Sequence, residues 1–196
     1  KFRPNLRPEQ CIREKLRGRL MGPSGGIYST LRGARFLTVG DGDLGFSLGL
    51  ARQVPGLEFV ATTHLSRAEL DQAYGYSKMN EVISALESEC GAVVIHEVDA
   101  TRLHLDQRVL NAFKGGPFDR ILWNFPCIAG TSSKDADAQL AEISANQELL
   151  KAFFGSCSHS EVLRSGSERV GGEVHVSHKA KPPFGHWGID MCAAEG

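Results

Sequence analysis

The sequence has no long hydrophobic run, no Cys-x-x-Cys pair and almost no net charge, and each absence excludes a class. None of its apolar stretches approaches the roughly 20 residues of a membrane-spanning helix, which predicts a soluble protein without membrane insertion. The five cysteines (Cys11, Cys90, Cys127, Cys157 and Cys192) are scattered and odd in number. That argues against a disulfide framework and a structural zinc site, and for an intracellular, reducing compartment. No internal repeat and no second-domain linker interrupt the 196 residues, a length that suits one domain with a real core. At 41% hydrophobic and 23% charged residues the composition is that of a globular protein.

The charge total of 22 Lys+Arg against 23 Asp+Glu conceals an asymmetry. Residues 1–35 hold nine basic and two acidic side chains, and the remainder holds 13 basic and 21 acidic. A basic arm, residues 1–33, ahead of a mildly acidic globule, residues 34–196, is a pattern that meets nucleic acid, although a solvated leader has the same composition. Arg13, Lys15, Arg17 and Arg19 are the candidate phosphate contacts of the arm. No apolar h-region follows, which excludes a secretory signal, and the Arg-rich, acid-poor composition leaves an organelle presequence open. The first residue is Lys, so the sequence reads as processed, trimmed or a fragment.

Short apolar runs alternate with helical patterns. Strands are expected at 36–39, 57–62, 92–98, 118–123 and 173–179. Helices are expected after Gly45, from Ser66 to about Glu89, around 105–113, from about Ala136 to Leu163, and after Trp187. Ser66 and Glu69 form a capping-box pattern that starts the second helix. The alternation, with nearly continuous apolar strand cores, predicts a doubly wound, mainly parallel α/β sheet. Ligands of such sheets bind beyond the carboxyl ends of the strands, so the residues following each strand are the ones to search.

Gly40, Gly42 and Gly45 spell G-x-G-x-x-G between the first strand and a helix. This pattern admits a tight turn and a close ligand. Asp41 and Asp43 within it would repel a pyrophosphate and suit a cationic centre, such as the sulfonium of S-adenosylmethionine; Asp43 also suits a helix N-cap. The stretch Thr62-Thr63-His64-Leu65-Ser66 after the second strand lacks the carboxylate that usually grips a cofactor ribose. Ser66-Arg67 there leaves an NADP phosphate as a minor alternative.

Several blocks occur together in a fixed order. They are residues 36–47, Ala61-Thr62-Thr63, Asp99-Ala100-Thr101, 118–126, Asn146 with Leu149-Leu150 and Phe153-Phe154, and 171–176. In this order they resemble the Bmt5-like 25S/28S rRNA (uridine-N3)-methyltransferase family over about residues 34–190. The resemblance implies a Rossmann-like class I methyltransferase fold, S-adenosylmethionine (SAM) as cofactor, and large-subunit rRNA or a ribosomal particle as partner. It also implies a nucleolar location, while the Arg-rich, acid-poor arm keeps the mitochondrion as the alternative. By position it assigns Gly40, Asp41, Gly42 and Asp43 to the methionine and ribose of SAM, and Asp99 with Ala100 to the adenine. Asn124, Phe125, Pro126 and Cys127 would face the methyl group and the target base.

The chain departs from the family at Leu65, where Asp is usual, and at Cys127, where His is usual. The family's further strands are also absent from this stretch, which leaves a sheet edge for a partner to complete. These departures sustain an alternative: a methyltransferase-like assembly subunit that does not catalyse. Cysteine is a poorer proton acceptor than histidine unless its pKa is lowered, and His175 on the fifth strand is a substitute or simply a strand histidine. His175 and His178 are three apart on a strand and point to opposite faces, which argues against a metal pair. Lys179 and Lys181 are candidate phosphate contacts, and Trp187 is expected at the RNA-side rim or covering the surface.

Overall fold

The computed structural model describes Tyr28 and residues 33–128, 135–166 and 171–196. The arm residues Arg13, Lys15, Arg17 and Arg19 lie outside these. Five strands, β1 (Arg35–Val39), β2 (Glu58–Thr62), β3 (Val93–Ile95), β4 (Arg120–Asn124) and β5 (Glu173–Ser177), form one sheet in the order β3-β2-β1-β4-β5. Every pairing is parallel, with Leu37 beside both Val60 and Ile121. The chain runs outward from β1 to β3, then crosses back to place β4 on the other side of β1. This reversal opens a crevice at the carboxyl ends of β1 and β4, the position where doubly wound sheets bind ligands.

Strand alternation builds a core on each face. Phe36, Phe59, Ala61 and Leu122 point to one layer, which is closed by α1 (Gly45–Gln53), α2 (Arg67–Tyr74) and α3 (Tyr76–Ser84). Leu37, Val39, Ile121 and Trp123 point to the other, which is closed by α5 (Ala136–Cys157) through Phe153 and Cys157. A one-turn helix, α4 (Gln107–Leu110), supports the same face through Val109. Both faces being covered explains why β1 is buried at every residue and reads as a continuous apolar run. The buried charges sit at the strand entries: Arg35 pairs with Glu58 at 3.1 Å and Arg120 with Glu173 at 3.2 Å. The exits are left to the site.

Four local departures from the sequence expectation have physical causes. The helix expected from Ser66 to Glu89 breaks at Gly75, whose φ of 93° no α-helix accommodates, and its last turn, Ala85–Glu89, is a π-helix. Its capping box forms as expected: Ser66 N–H donates to Glu69 Oε2 at 2.8 Å, and Glu69 N–H to Ser66 Oγ at 3.3 Å. The third strand stops at Ile95 because Glu97 adopts φ 56° and turns the chain back, so that Val98 N–H donates to Thr63 O at 3.0 Å. The helix expected to reach Leu163 ends at Cys157. The chain beyond it returns to the entry of β4, where Phe118 N–H donates to Val162 O at 2.7 Å and Arg164 pairs with Asp119.

Trp187, expected at a rim or the surface, is 1% exposed. It packs against Leu150 of α5, with His178 and Phe184 at ring distances of 4.5 and 5.5 Å. The reason is α6 (Ile189–Glu195), which folds onto α5 and covers the indole with Cys192.

Candidate functional site

A cavity of about 540 Å³ opens at the strand exits, between Gly40, the turn after β3 and the turn after β4. Its size is that of an ordinary small-molecule site. Gly40 forms part of the wall, in a left-handed conformation (φ 60°), with its Cα against the Trp123 indole. A Cβ there would stand 2.9 Å from Trp123 Nε1, so only glycine fits. Asp41 N–H donates to Thr62 O at 3.0 Å, tying the glycine loop to the end of β2.

The loop's carboxylates are occupied by the protein. Asp41 Oδ2 accepts from Ser47 N–H at 2.8 Å and from Ser47 Oγ–H at 2.6 Å, so it fastens the loop to the first turn of α1. Burial pushes its pKa up, against the pull of these two bonds. Asp43 Oδ1 accepts from Gly45 N–H at 3.0 Å, while Oδ2 accepts from Lys78 Nζ at 2.8 Å. The N-cap of α1 is Leu44, which has no side-chain cap, and Asp43 sits one residue earlier in a turn of its own. Gly42 lies under Tyr74, whose hydroxyl would be 2.8 Å from a Cβ. The break at Gly75 is what brings Tyr74 and Lys78, on successive helices, over the glycine loop.

The Lys78 contact holds the Asp43 carboxyl below its ordinary range. A carboxylate with a depressed folded pKa contributes stability above its unfolded pKa, and that contribution is lost as pH falls through the folded value. In a carboxyl NMR titration Asp43 is therefore expected to have its midpoint below the usual aspartate value of about 3.9, and Lys78→Met to raise it. An unchanged midpoint in Lys78→Met would show that the pair does not form in solution.

Asp99 follows the short β3 and caps a 3-10 turn, Ala100–Leu105. Its Oδ1 accepts from Thr101 N–H at 2.9 Å and Thr101 Oγ–H at 2.7 Å, while Oδ2 has no hydrogen-bond partner among the described residues. Asp99 and Ala100 line the cavity together. Glu69, Glu97 and His64 line it as well, and Leu149 of α5 adds an apolar wall.

On the opposite side β4 ends at Asn124, which pairs with Ser177 of β5. Phe125 then takes φ 54°, a left-handed conformation costly for an aromatic residue, and its N–H donates to Ser177 O at 2.8 Å. The ring is 60% exposed at the cavity mouth. Strain of this kind persists where surrounding structure enforces it, commonly at ligand sites. Pro126 is buried, and Cys127 and Ile128 return to the cavity. The enforcing residue is Asn146, fully buried on α5. Its Oδ1 accepts from Ile128 N–H at 2.8 Å and its Nδ2 donates to Glu142 O at 2.8 Å.

The surroundings of Cys127 favour the thiol over the thiolate. Burial and the nearby Glu142 push its thiol pKa up, against Lys179, and Sγ–H donates to Ile128 O at 3.0 Å. Cys127→Ser is expected to retain activity within about threefold in a methyl-transfer assay; a loss of a hundredfold would assign the sulfur a role in the reaction. His175 is engaged elsewhere. It pairs with Leu122 in mid-sheet, with Nδ1 2.7 Å from Tyr28 Oη and Nε2 2.8 Å from Glu173 Oε2. Burial pushes the Tyr28 pKa up to about 12, which keeps the phenol in its neutral form beside the ring. Lys179 and Lys181 are exposed on the stretch that leaves β5, and Lys179 Nζ lies 4.8 Å from the centre of the Phe184 ring.

The structure thus brings Gly40, Asp99, Ala100, Phe125 and Cys127 to one cavity. Asp41, Gly42 and Asp43 build the loop beneath it, and Asn124 and Pro126 hold the turn that carries Phe125. The sequence did not single out His64, Glu69, Glu97 or Trp123 as cavity residues. Glu69 was visible only as a helix cap, and Glu97 and Trp123 lay within expected strands.

Comparison with known proteins places this arrangement. The family model described as BMT5-like, rRNA (uridine-N3-)-methyltransferase BTM5-like, matches residues 37–196. Heavy metal-associated isoprenylated plant protein 41 of Arabidopsis thaliana is 34% identical over 164 residues, covering 82% of this chain and 28% of that protein. The chain thus spans little more than a quarter of that relative. Uncharacterized protein At4g26485, also of Arabidopsis thaliana, is 30% identical over 155 residues, covering 79% of this chain and 68% of that one. Among solved structures, that of the 16S rRNA methyltransferase KamB aligns with a TM-score of 0.34 at 16% identity, over 79% of this chain and 55% of that chain. With the family matched from β1 to the last residue of the sequence, over a parallel sheet whose glycine loop, Asp99 turn and Asn124-Phe125-Pro126 turn meet at one cavity, the chain belongs to the BMT5-like rRNA (uridine-N3)-methyltransferase family, whose cofactor is SAM.

Proposed function

We propose that this chain methylates N3 of a uridine in large-subunit rRNA. The observation that carries the reading is Phe125: an exposed aromatic ring, forced into a left-handed turn, at the mouth of a cofactor-sized cavity. The residues present fit SAM. Gly40 offers a wall that any side chain would fill, and the carboxylates of Glu69, Glu97 and Asp99 suit ribose hydroxyls, an adenine amino group and a cationic centre. When bound, SAM supplies an electrophilic methyl group.

The chain's own residues present the base to it. A uridine must leave its stack to reach the cavity. Phe125 stacks on the extruded ring, and the Asn124 amide, with one donor group and one acceptor, reads the O4/N3 edge. The methyl group would replace the N3 proton, which would leave to solvent at the open cavity mouth beside Phe125, and positioning would account for most of the rate in such a displacement. The arm residues Arg13, Lys15, Arg17 and Arg19, with Lys179 and Lys181, are assigned to rRNA phosphates, and the site of action follows the substrate to the nucleolus.

The test is transfer of labelled methyl from SAM to a large-subunit rRNA fragment. A stacked base contributes about 1–3 kcal/mol, so Phe125→Ala is expected to lower transfer roughly 5- to 150-fold. Its SAM affinity is expected to match wild type. Transfer by Phe125→Ala at the wild-type rate would contradict the reading.

A further inference from the structure

The end of β2 carries no acid, yet a cofactor ribose in this fold is ordinarily held by a carboxylate at that place. The neighbouring chain brings one. Glu97 N–H donates to Leu65 O at 3.2 Å, and Val98 N–H donates to Thr63 O at 3.0 Å, so Glu97 lies directly alongside the acid-free stretch. Its φ of 56° is the second feature. A left-handed backbone is costly for a glutamate and persists only where surrounding contacts enforce it, as they often do at ligand sites.

Arg108 enforces the turn: Nη1 donates to His96 O at 3.0 Å and Nη2 to Glu97 O at 3.1 Å. Arg108 is itself held by Asp106 at 2.6 Å. Glu97 lines the cavity, and its carboxylate has no hydrogen bond or ion pair among the described residues, although it acts electrostatically on Arg108. The other two acids of the cavity are partly committed, Glu69 Oε2 to Ser66 and Asp99 Oδ1 to Thr101.

We propose that Glu97 takes the place of the missing β2 acid and binds the ribose hydroxyls of the cofactor, a substitution made in space through the Leu65 backbone contact. The proposal rests on the SAM reading above and names the residue that recognises the sugar.

Calorimetric titration of the full chain with S-adenosylhomocysteine, and with its 2′-deoxyribose counterpart, tests it. Wild type is expected to favour the ribose form about tenfold or more, the scale of a lost charged hydrogen bond. Glu97→Gln is expected to weaken S-adenosylhomocysteine by about the same factor and to abolish the discrimination. Glu97→Gly relieves the left-handed backbone, so it is expected to keep or raise Tm while losing affinity, a combination that a merely structural residue would not give. Leu65→Asp added to Glu97→Gln is expected to restore the ribose preference.

A Glu97→Gln variant that discriminates as wild type does would overturn the proposal and leave the cofactor reading intact. Failure of wild type to bind S-adenosylhomocysteine at millimolar concentration would overturn both.

Discussion

Gly40→Ala is expected to abolish detectable SAM binding and lower Tm. Two independent costs meet at this residue. A left-handed backbone costs an L-residue about 1–2 kcal/mol, and Gly40 has φ 60°. The added Cβ would also stand 2.9 Å from Trp123 Nε1. That indole resists displacement, since it is 7% exposed and its ring centre lies 4.6 Å from that of Phe153. The loop must shift instead, and with it the Asp41 contacts to Thr62 and Ser47. A change of about 2 kcal/mol or more corresponds to a Tm lower by roughly 4 °C or more for a domain of this size. Thermal denaturation with and without SAM reads both effects. A Gly40→Ala protein that is stabilised by SAM as wild type is would show that the glycine loop is not part of the cofactor site.

Asn146→Leu is expected to have the second-largest effect, on stability and on methyl transfer together. The buried amide satisfies Ile128 N–H and Glu142 O at once, both at 2.8 Å. Leucine has similar bulk and neither group, so Ile128 N–H loses its partner. Ile128 is 43% exposed, so water takes up the freed N–H and the net loss is that of one hydrogen bond, about 0.5–1.5 kcal/mol, or roughly 1–6 °C in Tm at this chain length. The same bond anchors the residues just after Phe125 and Cys127, so the turn that holds the aromatic ring in its left-handed conformation is released. Methyl transfer is expected to fall by about tenfold or more, while SAM affinity, governed by the other side of the cavity, changes little. Loss of SAM binding in equal measure would place Asn146 in the cofactor site rather than in the turn.

Much of the fold was legible because its signals are local. Continuous apolar runs marked buried parallel strands, and the Ser66/Glu69 capping box marked a helix start that the structure reproduces. The glycine loop, Asp99 and Asn124-Phe125-Pro126 all fell at strand exits, where the fold places its ligands. What escaped depended on contacts distant in sequence. Gly75 breaks a helix that its periodicity alone would extend, and its effect, bringing Lys78 to Asp43, involves a pair 35 residues apart. Trp187 reads as a surface aromatic until α6 covers it. Glu97 reads as one more residue of a strand until its backbone turns and meets Leu65. The loop acids show the converse. Asp41 and Asp43 read as ligand contacts, and their carboxylates are engaged by Ser47, Gly45 and Lys78.

The most direct measurement is nucleoside mass spectrometry of a large-subunit rRNA fragment after incubation with the wild-type chain and SAM, paired with primer extension on the same RNA. A methyl group on N3 removes the base-pairing donor of uracil and halts the primer. The expected result is N3-methyluridine in the digest and a primer stop at a single uridine, both much reduced with Phe125→Ala. A methyl group on C5 or on a ribose hydroxyl, or no transfer by a chain that binds SAM, would contradict uridine-N3 methylation by this site.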